Sequence, residues 1–145
     1  MRNGSEMKMR LGMKKRTLLS IVAVATGALV LSGCSSSSDS VASMDVANFS
    51  KKIQESGVIT LDVRTRGEFS QGHIAGAINI DVEADTFNNE VSKLDKTKTY
   101  AVYCQSGRRS AIAAEEMKKL GFEHLFNLSN GMNDWMSQGM KLVLS

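Results

Sequence analysis

A chain of 145 residues, 42% hydrophobic and 23% charged, has the composition of an ordinary globular protein with room for about one domain. Its formal charge of +3 would suggest a nucleic-acid partner, but six of the 18 basic residues (Arg2, Lys8, Arg10, Lys14, Lys15 and Arg16) lie ahead of residue 17. Without residues 1–33, 12 basic residues face 14 acidic ones, a net of −2, so the basic excess belongs to a targeting segment and nucleic acid is excluded as a partner of the working domain.

That segment has three parts. Lys14-Lys15-Arg16 precedes an uncharged apolar run over 17–34, which ends in Leu-Ser-Gly-Cys and is followed by the Ser-rich run SSSSDS. A basic start, an apolar middle and a small-residue cleavage site make an export signal, and LSGC at 31–34 resembles a bacterial lipobox. Cys34 would then carry lipid and become the mature N-terminus. An uncleaved anchor is the other reading, since 18 residues is close to the shortest run that spans a bilayer; the small residues before Cys34 and the Ser run after it favour lipidation. Met13, directly before Lys-Lys-Arg, makes an alternative start to Met1. The expected organisation is an export segment over 1–33, a tether over 34–44 and a domain over 45–145. The expected location is a bacterial membrane outside the cytoplasm, the outer membrane favoured where there is one because Ser35 follows the cysteine.

From residue 45 the pattern alternates between helix and strand. Asp45 can cap a helix carrying Val46, Phe49 and Ile53, stopped by Gly57, and VITLDV at 58–63 reads as a buried strand. AINI at 77–80 is a second strand, 85–94 a helix with Phe87, Val91 and Leu94 on one face, and TYAVY at 99–103 a third strand. A helix over 110–120, with Ala111, Ala114, Met117 and Leu120 at intervals of three, is closed by Gly121. HLFNL at 124–128 is the fourth strand, and a short helix over 132–138 carries Trp135, the sole tryptophan. The alternation predicts an α/β domain with a mainly parallel central sheet and helices on both faces.

The third strand delivers the chain to Cys104, and the loop CQSGRR then enters a helix. Unpaired N–H groups and the helix dipole favour negative charge there, Arg108 and Arg109 add positive charge, and Gly107 permits tight curvature. These features favour the thiolate, the reactive form of cysteine. They describe an anion cradle around a nucleophile better than they describe a buried small hydrophobe. A disulfide has no partner if Cys34 is lipidated, and His73 and His124 show no metal-ligand spacing, so neither a metal nor a cofactor is expected.

Three stretches, LDVRTRGEFSQGHIAGAINI at 61–80, VYCQSGRRSAIAAEEMKKLGF at 102–122 and NLSNGMNDW at 127–135, together resemble the rhodanese-like domain family of sulfurtransferases along nearly all of 45–145. The resemblance implies that Cys104 takes sulfane sulfur from an anionic donor such as thiosulfate. It would hold that sulfur as a persulfide and pass it to cyanide, a thiol or a protein. By the same resemblance Gln105, Ser106, Gly107, Arg108 and Arg109 bind the donor. Asp62, Arg64, Glu68 and His73 belong to the family's upstream motif and read as mainly structural, with Arg64 the one placed to face a pocket. Gly72 and Gly76 read as turn residues, Trp135 as core or pocket wall, and Asn130 stands where the family more often has a second glycine. A non-catalytic module that carries or senses persulfide sulfur is the alternative function. A cysteine phosphatase or arsenate reductase fits less well: cysteine phosphatases generally show His-Cys, five residues, then Arg, whereas this chain has Tyr103 before the cysteine and Ser110 at the arginine position.

Overall fold

The computed structural model describes residues 41–144. The segment expected to direct export, Cys34 and the Ser run therefore lie outside the described residues.

Five strands form one sheet: β1 (Ala42–Met44), β2 (Val58–Asp62), β3 (Ile78–Asn79), β4 (Thr99–Tyr103) and β5 (His124–Leu128). Their order is β1-β5-β4-β2-β3, and every pairing is parallel. The helices are α1 (Val46–Lys52), α2 (Arg66–Ser70), α3 (Phe87–Val91), α4 (Arg108–Lys119) and α5 (Gly131–Ser137). The expected α/β class holds. The sheet, however, begins before residue 45, because Ala42–Met44 pairs with Phe126, Asn127 and Leu128 inside the stretch read as tether.

Two cores lie on opposite faces of the sheet, as the pleat of β4 requires. Tyr100, Val102 and Cys104 join Leu61, Val63, Val91, Ala113 and Met117 on the face covered by α3 and α4. Ala101 and Tyr103 join Val46, Phe49, Leu128, Met132 and Trp135 on the face covered by α1 and α5. On the second face the Phe49 ring meets Tyr103 and Trp135 edge-on, each at 6.4 Å between centroids. Each such pair adds about 0.5–1.5 kcal/mol to the burial itself.

Local sequence chemistry sets the helix ends. Asp45 accepts the Asn48 N–H at 2.8 Å and caps α1. Thr65 and Glu68 form a reciprocal capping box that starts α2, a helix with no buried residue of its own. α4 starts at Arg108, two residues earlier than its apolar spacing suggested, and its buried face is Ser110, Ala113, Ala114 and Met117. Intervals of three fall behind the true period of 3.6, so Ala111 and Leu120 are only half-buried.

The chain runs from β2 to β3 on one side and returns to β4 on the other. The C-terminal ends of β2 and β4 therefore meet at a reversal of strand order, the place where open parallel sheets form crevices for ligands. Asp62 pairs with Tyr103 there, which puts Arg64 and Cys104 just beyond the same sheet edge.

Candidate active site

Cys104 follows the last residue of β4 and is fully buried. Its Sγ accepts hydrogen bonds from the Gly107 N–H at 3.2 Å and from Ser110 Oγ at 3.3 Å. The loop thus folds back on the sulfur, and Gly107, the N-cap of α4, makes the turn at φ 85°. A Cβ at this position would stand 1.8 Å from the Ser129 carbonyl oxygen, so glycine is required by space as well as by backbone angle.

The start of α5 closes the loop from the other side. Met132 and Asn133 donate their N–H groups to the carbonyls of Cys104 and Gln105, at 2.9 and 3.0 Å. That approach needs Gly131, where a Cβ would fall 2.2 Å from the Cys104 carbonyl oxygen. The left-handed residue is Gly131, at φ 59°, whereas Asn130 has φ −113° and donates its side-chain amide to Asp134 at 2.7 Å.

The residues of the loop take different directions. Gln105 is half-buried, and its amide donates to Asn133 Oδ1 at 2.7 Å. Ser106 and Arg108 are exposed. Arg109 is engaged by carboxylates: its guanidinium holds Glu68 through both nitrogens, at 2.6 and 2.9 Å, and Glu83 at 3.0 Å. Two carboxylates from distant segments compensate its charge, so the two adjacent arginines are not equivalent. Arg109 has its pKa raised and Glu68 has its own lowered to about 2, in each case chiefly through their mutual hydrogen bond. Glu68 also caps α2, and so ties that helix to the start of α4.

Asp62 and Arg64 form a buried pair with side-chain exposures of 0% and 5%. Arg64 Nε and Nη2 grip the carboxylate at 2.7–3.1 Å, and Nη2 also donates to the Gly72 carbonyl at 2.8 Å. The guanidinium lies 5.7 Å from the Tyr103 ring centroid, and Nη1 reaches Gln105 Oε1 at 3.4 Å. Burial opposes the charge on Arg64, but the bonds to Asp62 outweigh it and the pKa is raised. Burial, reinforced by Asp62, raises that of Tyr103, whose hydroxyl accepts the Ile74 N–H. Asn79 fastens this corner by donating to the carbonyls of Asp62 and Arg64 at 3.1 and 2.8 Å.

His73 stacks on Phe69 at 3.7 Å, and its Nδ1 lies 3.1 Å from the Phe69 carbonyl, which places a proton on that nitrogen. Its backbone exchanges two hydrogen bonds of 2.9 Å with Val143, in an antiparallel bridge that holds the C-terminal segment. Trp135 is buried, with its indole N–H on the Lys141 carbonyl at 3.1 Å. Beside Gln105 a cavity of about 250 Å³ is lined by Arg64, Glu68, Gly72, Met132, Met136 and Leu142. Among the described residues no group of three His, Cys, Asp or Glu side chains is placed to hold a metal.

The structure thus brings Cys104, Gln105, Gly107, Asp62 and Arg64 to one corner, with Glu68 behind it holding Arg109. Ser110, Gly131 and Glu83 had no role in the sequence reading. Ser110 was readable in principle, since a residue in the first turn of a helix faces back towards the loop that enters it. Glu83 carried no such signal, because it stands 26 residues before Arg109.

A fully buried cysteine thus sits beside a left-handed glycine and a helix start, at the reversal point of a five-stranded parallel sheet. The profile of the rhodanese-like domain matches residues 45–138. The chain belongs to the rhodanese-like domain family. The crystal structure of a rhodanese-related protein from Thermoplasma volcanium superposes with a TM-score of 0.63 at 32% identity, over 72% of this chain and 99% of that one. A rhodanese-like domain protein from Staphylococcus aureus gives 0.62 at 29% identity, over 72% and 99%. Among curated proteins, YrkF of Bacillus subtilis, whose name marks it as a candidate sulfur carrier, is 34% identical over 103 residues, 70% of this chain and 54% of its own length. Thiosulfate sulfurtransferase PspE of Escherichia coli is 35% identical over 74 residues, 51% of this chain and 70% of its own. The chain covers 54% and 64% of the lengths of YrkF and of YibN of Escherichia coli, another relative. Rhodanese-like relatives therefore carry the names of sulfurtransferases and of a sulfur carrier.

Proposed function

We propose that this rhodanese-like domain is a sulfurtransferase that works through a persulfide on Cys104. The observation that carries the reading is the loop: a buried sulfur with a backbone N–H and a hydroxyl on it, at the start of a 12-residue helix. In the first step the Cys104 thiolate attacks the outer sulfur of thiosulfate. A new S–S bond forms, the old one breaks, and its electron pair leaves with sulfite. In the second step a thiophile such as cyanide attacks the terminal sulfur. Thiocyanate forms, and the pair of the S–S bond returns to Cys104 as thiolate.

The residues divide the work. The backbone of 105–109 and the helix dipole oppose the negative charge of donor and persulfide. Arg108, exposed beside them, is the arginine free to meet the donor in solvent. Arg109 acts from behind, by holding the loop to Glu68 and Glu83. The 250 Å³ cavity beside Gln105, with Arg64 at its wall, is the room for the acceptor, a small thiol or the end of a protein segment. Lipid at Cys34 would hold the domain at a bacterial membrane, on the periplasmic side and at the outer membrane where there is one.

Intact-mass measurement tests the reading. Incubation with thiosulfate is expected to add one sulfur atom to the protein, and cyanide to remove it as thiocyanate, while Cys104→Ser does neither. No mass gain in the parent, or thiocyanate formation by the serine variant, would refute it. The likeness to YrkF favours a second reading, a carrier that loads sulfur but releases it only to a dedicated partner. Loading without turnover by cyanide or small thiols would decide for that one.

A further inference from the structure

Ser110 is wholly buried, and its hydroxyl has two acceptors but one proton. Oγ lies 3.3 Å from Cys104 Sγ and 3.1 Å from the Gly107 carbonyl oxygen. The two acceptors differ in need. The Gly107 carbonyl already receives the Ala111 N–H at 3.2 Å and the Asn127 amide at 3.4 Å. Among the described residues Sγ has only the Gly107 N–H besides Ser110. An anionic sulfur buried with one donor is poorly compensated, and a hydrogen bond to a charged acceptor is the stronger of the two on offer.

We propose that Ser110 is a catalytic hydroxyl whose proton follows the charge on the sulfur. It points to Sγ while Cys104 is a thiolate and turns to the Gly107 carbonyl when Sγ is neutral. The second position rests on the sulfurtransferase reading, in which sulfur loading moves the negative charge from Sγ to the terminal sulfur of the persulfide. The first position requires only that the thiol ionise. The hydroxyl thus lowers the cost of the thiolate that attacks the donor and of the thiolate that is expelled when the acceptor takes the sulfur.

Ser110→Ala removes one oxygen, leaves the Gly107 carbonyl with two donors and puts a better helix former in α4, so the variant retains the fold. The probe is alkylation of Cys104 by iodoacetamide, followed by intact mass across a range of pH. Near neutral pH the variant is expected to react about tenfold more slowly, and the two rates converge once the pH is high enough to ionise both thiols. Ser110→Thr, which keeps the hydroxyl, restores the parent profile. The charged groups around the loop are Asp62 at the end of β2, Arg64 just beyond it, Arg108 and Arg109 on α4, and Glu68 and Glu83 paired with Arg109. All are unchanged in these variants, so the difference reports the hydroxyl. Equal rates for Ser110→Ala and parent at every pH would overturn the proposal. So would a deficit that persists undiminished at high pH, the mark of a loop that has merely closed over the sulfur. Alkylation uses no sulfur donor: a slow Ser110→Ala in a protein that never gains mass from thiosulfate refutes the transfer reading and leaves Ser110 standing, and normal loading with equal alkylation does the reverse.

Discussion

Replacing Asp62 by alanine strands a guanidinium in the interior. Arg64 keeps the Gly72 carbonyl, the face of Tyr103 and a long contact to Gln105, but loses the carboxylate that receives three of its side-chain bonds. With side-chain exposures of 0% and 5%, neither partner is screened by solvent. Removing one member of such a pair costs about 3–5 kcal/mol, a large part of the roughly 5–15 kcal/mol that holds a domain together. For a domain of about 100 residues that loss lowers Tm by roughly 15–30 °C. Thermal melts followed by circular dichroism measure it. Much of the cost is an unpaired charge and not a lost attraction, so the double variant Asp62→Leu/Arg64→Met is expected to melt well above Asp62→Ala. If Asp62→Ala melts within a few degrees of the parent, or the double variant is no more stable than the single, the account of this corner is wrong.

Two further predictions concern Glu68 and Cys34. The pKa of Glu68 is lowered from 4.5 to about 2, first by Arg109, so its contribution to stability is complete above about pH 4.5 and is lost as pH falls towards 2. Tm is expected to fall across that window in the parent and to fall less steeply in Glu68→Gln, and parallel curves would count against the latch. On the lipid-anchor proposal, Cys34→Ala moves the protein from the detergent phase to the aqueous phase in a temperature-induced partition; unchanged partition would refute lipidation.

The long strands and the cysteine loop were legible because their signals are local: β-rich runs of five residues, and a strand that ends at a cysteine. What escaped the sequence is held by tertiary contact. Strand β1 is Ala-Ser-Met, three residues that are too few to carry a periodic signal, and it exists because β5 offers it an edge. Helix α2 buries none of its residues, so hydrophobic period could not find it, yet the spacing Thr65-x-x-Glu68 was a readable start signal. Charge beside Cys104 was read as serving the anion. Only the fold shows that Arg109 belongs to Glu68 and Glu83, since those carboxylates come from 41 and 26 residues away in sequence.

The parallel pairing of β1 also fixes where that strand stands against the cysteine loop. Ala42 pairs with Phe126, which pairs with Ala101, so the first described strand begins three residues below Cys104 along the strand direction, about 10 Å at the usual rise. Ala42 stands level with the middle of β4, and the sulfur lies beyond the C-terminal end of that strand. The last carbonyl of β1, that of Met44, receives both the N–H and the hydroxyl of Ser129 at 2.9 Å, so this edge strand seats the very residue against which Gly107 turns beneath the sulfur.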